Sequence, residues 1–535
     1  MPGFETAHCM ATKTDAMEKE PPMEAFKLLP NNTNSNWIKD RGLRKLNMAI
    51  MFMFSTASSA GYIGNLVNSL LVLPGIVDEI IGGLNPSIVG VIIAATSVGA
   101  LVSFAPASYI ADKFGRKTCV CIGSSIVVVG AIISTMIKSH WAFFGTRVLS
   151  GIGMGITQTA APLLATEIAH PRQRQTATAL YNGCWSLGAI GSAAVTYATI
   201  GIANSWSWRL PCLLQISYPL FQILGLVMFV PESPRWLVSK GRKDEALAIL
   251  GKYHANGDAE DELVQYEYRL ICTTITAEIT DTRSWSSFFS SRGDMHRLAI
   301  CVLVGFMQEW AGNGILIPPP KEDTVTNSIV GLLSYYLAPI LISVGITKAT
   351  DQAAVNISLN AWNFLLAGAG ALASERYGRR ILWLISTVAM IVFLSMSTLA
   401  AGLFAERHLS AAGLAVVSLL FLFFGAYDIA YAPLFLSYPA EILPFQLRAK
   451  GIAVTLSADA VACFFNQYVN PVAFTAIAWK YYCVFLGSLV MFLVLIYFLF
   501  PETKGRSLEE VAMIFDKENE SEIDSQKKTD KINQN

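Results

Sequence analysis

The sequence predicts an all-α membrane protein with twelve spanning helices arranged as two six-helix halves. Three observations predict it. Only 15% of the 535 residues are charged, 53% are hydrophobic and mean hydropathy is +0.46, whereas a water-soluble chain of this length needs more charge to cover its surface. The charges avoid a series of apolar runs, each near the ~20 residues a helix needs to cross a hydrocarbon core. The runs fall as six, a polar segment, and six more.

The runs lie near 46–72, 87–111, 118–137, 141–165, 178–202 and 210–230, then near 297–341 (interrupted), 351–373, 380–403, 409–433, 448–473 and 480–500. None alternates as a membrane strand would, so each is read as a helix. The domain expectation follows: a tail over 1–45, a first half over 46–230, a linker over 231–296, a second half over 297–500 and a tail over 501–535. The first forty residues are polar and the first apolar run is long enough to span, so no cleavable leader is expected. Ala, Leu, Glu and Lys at helical spacing in GRKDEALAILGKYH give the linker short surface helices. The last tail starts helical (SLEEVAMIFD), and its charged remainder reads as disordered.

Orientation follows from Lys and Arg in the short loops. One set carries Lys113, Arg116 and Lys117; Arg172 and Arg174; Arg376, Arg379 and Arg380; Arg448 and Lys450. The opposite set carries one basic residue per loop or none: Lys138, Arg209, Lys348, Arg407 and Lys480. The first set, the linker and both termini are therefore expected in the cytosol. Zero net charge suggests no nucleic-acid partner. Nine scattered cysteines with no CxxC spacing argue against a disulfide framework or a zinc site, and no cofactor is implied.

The halves echo one another. Asp112-Lys113-Phe114-Gly115-Arg116-Lys117 joins spans two and three, and Glu375-Arg376-Tyr377-Gly378-Arg379-Arg380 joins spans eight and nine. Glu167 with Arg172 and Arg174 follows span four; Glu441 with Arg448 and Lys450 follows span ten. Acids beside bases at helix ends can pair across helices and meet helix dipoles. Pairs made only while the cytosolic face is shut would bias the outward-open state. Asp112, Arg116, Arg147, Glu167, Glu232, Glu375, Arg379, Glu441 and Arg448 thus read as a cytosolic gate network; the alternative is that the basic residues merely set topology.

Six-span halves repeated in parallel are the arrangement of the major facilitator fold. From about 44 to 511 the pattern resembles the sugar porter family, on RVLSGIGMG (147–155), PESPRWL (231–237), YPAEILPFQLRAKG (438–451) and PETKGRSLEE (501–510). FFNQYVNP, RAKG and SYYL look like the fungal branch that includes lactose and hexose permeases. The resemblance implies alternating access by a plasma-membrane protein acting as a monomer, with a sugar as solute and, in some members, a proton as partner.

Polar residues inside spans mark a cavity by default, and an amide suits a hydroxyl because it both donates and accepts. Placed on the family pattern, the substrate-binding candidates are Asn182 in span five, Gln308, Glu309 and Asn313 in QEWAGNG, Asn363 in span eight, and the aromatic pair Tyr335 and Tyr336 that closes over the sugar from outside. Trp362 and Phe435 could stack on a sugar ring or simply pack, and Asn466 and Gln467 could bond between helices.

Two departures carry information. Proton-using members commonly have an Asp in span one within GYD; here Gly61-Tyr62-Ile63 stands there, and isoleucine carries no proton. Three acids instead appear in the second half: Glu309 at a Gln position, Asp428 and Asp459. Carboxylates around one cavity repel, so one of them is expected to exchange protons near neutral pH. Second, the family pattern runs from GNG through two residues to SYYL, but Gly314 and Ser334 are separated by 19 residues, an excess of 17. The excess contains three prolines (318–320), Lys321, Glu322 and Asp323, which cannot continue a spanning helix. Seventeen codons keep the frame, and a retained intron is the expected cause.

Other function classes are weighed on the same residues. A transporter of another solute, such as a fungal metabolite, a quinate-like acid or a cation drawn by the extra acids, shares every motif. A transporter-like sensor tends to a longer cytosolic tail. An enzyme is disfavoured, since no nucleophile elbow, metal cluster or phosphate loop occurs.

Overall fold

The computed structural model describes Phe26 and residues 29–34, 37–70, 73–76, 79–80, 86–280, 285–312, 349–407, 410–477, 480–504 and 514–515. The first half comprises α1 (Arg41–Leu70), α2 (Pro86–Phe114), α3 (Arg116–Ser134), α4 (His140–Ile168), α5 (Arg174–Thr199) and a sixth span built from α6 (Trp206–Leu214) and α7 (Ser217–Met228). That span breaks between Pro211 and Pro219, whose missing N–H groups interrupt the helical ladder. The connecting segment holds α8 (Pro234–Ser239), α9 (Lys243–His254) and α10 (Glu262–Thr280). The second half comprises α11 (Arg292–Trp310), α12 (Ala349–Tyr377), α13 (Arg379–Arg407), α14 (Ser410–Ile442), α15 (Phe445–Ile477) and α16 (Tyr481–Leu499). The interrupted part of span seven, with the whole 315–333 stretch, lies outside the described residues, as does the last tail apart from 514–515.

Eight of these spans are long and apolar enough to cross a membrane by length and composition alone. Residues such as Val227 (66% exposed), Leu399 (66%) and Phe498 (75%) face outward. In water they would make an apolar surface no monomer tolerates, so the surround is lipid. The chain is a multi-pass membrane protein.

Each half has its own apolar core. Trp383, Phe423, Tyr431 and Phe492 are buried in the second half; Ala49, Leu164 and Leu226 in the first. Helices in lipid associate through small residues that let backbones approach. Gly99 on α2 and Gly151 on α4 do this reciprocally: a Cβ on the first would strike the Val148 carbonyl oxygen, and on the second the Thr96 carbonyl oxygen.

The halves meet along two seams. Ala100 and Phe104 of α2 pack on Leu456 and Ala460 of α15, with Phe435 of α14 beside them. Gly183 of α5 faces Ala367 of α12, where a Cβ would stand 3.9 Å away. Phe435 thus packs in an inter-half seam.

The loops after α2, α4, α7, α12, α14 and α16 share the face that carries α8–α10, called here the linker face. Phe26 and the described residues among 29–40, called here the strap, lie on it. Arg172, in the loop between α4 and α5, donates to the carbonyls of Phe26 (2.9 Å) and Leu29 (2.6 Å). Asn256 donates to Asp40 (2.8 Å) and to the Asn32 carbonyl (2.8 Å). Beneath the strap His254 holds Glu267 at 2.7 Å, and Arg174 lies 3.2 Å from the other carboxylate oxygen.

Candidate functional site

Two polar constellations stand out, one on the linker face and one inside the spans. The first is built twice. Gly115 and Gly378 sit at φ 99° and 95°, which glycine adopts without strain, and each ends one helix and starts the next. At the start of α3, the backbone N–H groups of Arg116 and Lys117 donate to Glu232 (3.1 and 3.2 Å). At the start of α13, those of Arg379 and Arg380 donate to Glu502 (2.9 and 3.1 Å). A carboxylate there satisfies orphan donors and meets the positive end of the helix dipole.

The guanidinium of each first arginine then reaches the end of the following span. Arg116 lies 3.4 Å from Glu167, and Arg379 lies 2.9 Å from Glu441. Each also donates back to a carbonyl five residues earlier, Ala111 (3.2 Å) or Ser374 (3.3 Å). A hydroxyl completes each set: Ser233 donates to Glu167, and Thr503 donates to Glu441 at 2.6 Å. Asp112 adds a contact of 3.4 Å to Arg116 but is largely exposed. The side chain of Glu375, its counterpart, lies outside the described residues. Burial pushes the Glu232 carboxyl above its ordinary value, against N–H bonds from Ser233, Lys117 and Arg116 and the Arg116 charge.

These pairs join helices within a half. Charges of the two halves meet at Arg448, which lies in charge range of Arg235 and Arg174 from the first half and linker and of Glu441 from its own half. Arg147 is a correction to the sequence reading. It sits on α4 twenty residues before Glu167, ~30 Å along the axis, at the opposite end from the linker face. It is 4% exposed and donates to the Ile63 carbonyl of α1 at 2.8 Å. The motif RVLSGIGMG opens span four rather than closing it, and that distance removes Arg147 from the network.

The second constellation lies among α5, α11, α12, α14 and α15. Glu309 and Asp459 are drawn together by Gly305, whose added Cβ would stand 2.9 Å from the Asp459 nitrogen and 2.6 Å from the Thr455 carbonyl oxygen. One turn along α11, Asn466 donates to the Glu309 carbonyl (3.2 Å) and Trp310 to that of Ala462 (3.2 Å). Glu309 and Asp459 stand within range of one another's charge. Ion pairs among the described residues lie at the two faces, and none involves Glu309, Asp428 or Asp459. Three carboxyls without a cation in a low-dielectric interior cannot all be ionised cheaply.

Asp428, 6% exposed, meets Asn363 across α12 and α14. Gln308 Oε1 and Asn182 Nδ2, one from each half, are buried without a partner. Tyr427, not singled out by sequence reading, donates to the Gln308 carbonyl (2.8 Å) and stacks on Tyr431 with centroids 5.1 Å apart. Trp362 donates to the Phe421 carbonyl (2.8 Å), so it pins α12 to α14. Asn313, Tyr335 and Tyr336 lie outside the described residues.

The family model described as sugar (and other) transporter matches residues 43–321 and 324–515, nearly the whole span region. The chain belongs to this family. Among similar proteins, Hexose transporter 2 of Kluyveromyces lactis is 29% identical over 433 residues, covering 79% of this chain and 73% of that one. Sugar transporter STL1 of Saccharomyces cerevisiae is 30% identical over 434 residues, covering 79% and 72%. MFS-type transporter oryC of Aspergillus oryzae is 27% identical over 451 residues, covering 81% and 78%. The solved proton:xylose symporter XylE, bound to 6-bromo-6-deoxy-D-glucose, superposes with a TM-score of 0.71 at 18% identity, covering 88% of this chain and 99% of that one. The fold is therefore that of the major facilitator superfamily.

The sugar transporter family pattern includes both carboxylates of the doubled network, yet only Glu232 was expected there. Glu502 could have been found by aligning PES (231–233) with PET (501–503), which repeat at the same place in each half.

Proposed function

We propose that this family member carries a sugar, a hexose or disaccharide, across the plasma membrane by alternating access, as a monomer in lipid, with the linker face and both termini in the cytosol. The observation that supports the reading is that two buried amide atoms, Asn182 Nδ2 of the first half and Gln308 Oε1 of the second, have no partner among the described residues. A hydroxyl offers both the acceptor and the donor those atoms lack, and burying them unpaired otherwise costs about 1–3 kcal/mol each. Asn182, Gln308, Glu309, Asn313, Asn363, Tyr335 and Tyr336 make the solute site in this reading. No bond in the solute is made or broken.

The doubled network acts as two clamps. Each fixes three helix ends inside its half so that the α2–α15 and α5–α12 seams can close as rigid surfaces, and Arg448 reports the approach of the halves. Neutral Ile63 removes the span-one carrier, so any proton coupling runs through Glu309, Asp428 or Asp459.

A second solute class is favoured by one observation: Glu309 and its uncompensated neighbours would attract a cationic metabolite more than a neutral sugar. The experiment is uptake of a radiolabelled sugar panel in transport-deficient yeast, with and without an uncoupler. Saturable uptake of one sugar is expected; uptake of none, with an organic cation taken up instead, would replace the sugar reading by the second.

A further inference from the structure

The start of α1 carries two opposed stripes. Leu43, Leu46, Ala49, Ile50 and Met53 are buried in the core of the first half. Arg41, Arg44, Lys45, Met48 and Met51 are exposed. They recur at three- and four-residue steps, which puts them on one side of the helix. Met48 (49% exposed) and Met51 (61%) face lipid. Arg44 precedes Met51 by seven residues, ~10 Å along the axis. The exposed stripe therefore runs from methionines in hydrocarbon to three cations at headgroup level, on the linker face.

No protein acid answers these cations. Among the described residues, no ion pair involves Lys39, Arg41, Arg44 or Lys45. Asp40, the acid between them, is 4% exposed and turned inward. It accepts from the backbone N–H groups of Leu43 (2.9 Å) and Asn34 (3.0 Å) and from the Asn256 amide (2.8 Å). The next acid along the chain is Asp78. Arg44 donates to the Ile38 carbonyl at 3.4 Å, which brings exposed Ile38, with exposed Trp37 next to it in the chain, against the cations. Tryptophan favours the boundary between headgroups and hydrocarbon. Topology depends on how many basic residues a loop carries, not on their sharing one lipid-facing stripe.

We propose that Arg41, Arg44 and Lys45, with Lys39, form a binding surface for anionic phospholipid headgroups of the leaflet on the linker face. A phosphate accepts two parallel N–H bonds from one guanidinium and a further bond from an ammonium group. Screening confines the attraction to within a Debye length, so the surface acts on the lipids that touch α1. None of its residues belongs to the solute site or to the doubled network.

The test counts lipids retained by the purified full chain in detergent, by native mass spectrometry, as phosphatidylserine or phosphatidylcholine with the same acyl chains is added. The unaltered chain is expected to hold phosphatidylserine more tightly by about tenfold or more. Arg44→Gln combined with Lys45→Gln should weaken phosphatidylserine alone, by about fivefold for each charge removed. The same loss of charge on α9 and α10, Lys243→Gln with Arg269→Gln, should change its binding by less than about twofold. Arg41→Lys with Arg44→Lys keeps the charge and should keep the preference. If the Arg44/Lys45 double variant does not reach the membrane, the two single variants are measured instead, together with the unaltered chain at raised salt. Going from about 0.1 M to about 1 M salt should bring the two lipids to within about twofold of one another. Equal retention of both lipids by the unaltered chain overturns the inference, as does a preference insensitive to salt. A preference that survives loss of Arg44 and Lys45 also overturns it, and leaves these cations to topology or to an acidic protein surface. So does a preference lost as fully in the α9–α10 variant, or lost when lysines replace the arginines.

Discussion

Glu232 and Glu502 occupy equivalent positions in the two halves, each accepting the first two backbone N–H groups of a helix that starts after a left-handed glycine. The repeat extends to Arg116 with Glu167 and Arg379 with Glu441. Two copies of one clamp, each internal to a half, imply that the clamps keep the halves rigid while the seams between them open and close.

Removing one clamp should therefore slow transport without preventing insertion. Arg116→Ala leaves Glu167 without its cation, and Arg379→Ala does the same to Glu441. Each is expected to shift the conformational equilibrium by about 1–2 kcal/mol, roughly a tenfold loss in uptake rate. Surface labelling should show normal amounts in the membrane. Normal uptake by both variants would show that the basic residues serve topology alone.

Acid should loosen the strap before it affects the spans. His170 is pushed down to about 3 by burial and by His254, Arg172 and Arg174, against Glu267. It is neutral when folded, so its contribution is full above its ordinary 6.5 and declines as pH falls below that value. Burial disfavours the charge of Glu267, yet His254, Arg174 and His170 outweigh it and hold the carboxyl below its ordinary value; that contribution too is lost on acidification, through the lower folded value. Amide protection across α9 and α10, the observed exchange rate set against the intrinsic rate at each pH, should fall between pH 7 and pH 5, by at most about tenfold per pH unit for one proton. His170→Gln should flatten the response. Protection independent of pH in that interval would mean the cluster is not linked to the strap.

About seventeen codons of the 315–333 stretch should be missing from the mature transcript. A run of three prolines followed by Lys321, Glu322 and Asp323 cannot continue the helix that α11 begins. Transcript sequencing is expected to find a spliced form lacking about seventeen codons between Gly314 and Ser334, the excess over the family spacing. A full-length transcript that supports uptake would establish the stretch as a true loop.

The spans were legible because a hydrocarbon core imposes a length and forbids charge, which a sequence displays directly. The family was legible because its motifs lie in short loops whose order is fixed. Arg147 was misplaced because a motif name carries no direction along a helix; only the position of Glu167 at the other end of α4 supplies it. The Asn363–Asp428 contact joins residues sixty-five positions apart, and no periodicity within α12 or α14 announces which faces meet. Gly305 and Gly425 give a faint signal, since small residues inside spans mark close approaches, but not their partners.

Proton coupling, if this transporter accumulates its sugar, should run through Glu309 and Asp459. Ile63 leaves the span-one site without an acid, and Arg147 there is engaged with a backbone carbonyl at 2.8 Å. Gly305 brings α11 against α15 so closely that Glu309 and Asp459 share one low-dielectric region, and Asp459 Oδ1 has no partner. Two such carboxyls, side by side in a low-dielectric region, cannot both be ionised cheaply. Neutralising either by Glu309→Gln or Asp459→Asn removes the like-charge repulsion that keeps a proton on the pair. Uphill accumulation should then collapse, while exchange down a gradient survives because the amides and seams are untouched. Asp428→Asn is measured beside them because Asp428 is the third buried acid of the second half. The measurement is accumulation ratio and exchange rate for each variant, with and without an uncoupler. A parent chain that never concentrates its sugar is a facilitator and removes the coupling argument; full accumulation by all three variants places the carrier elsewhere.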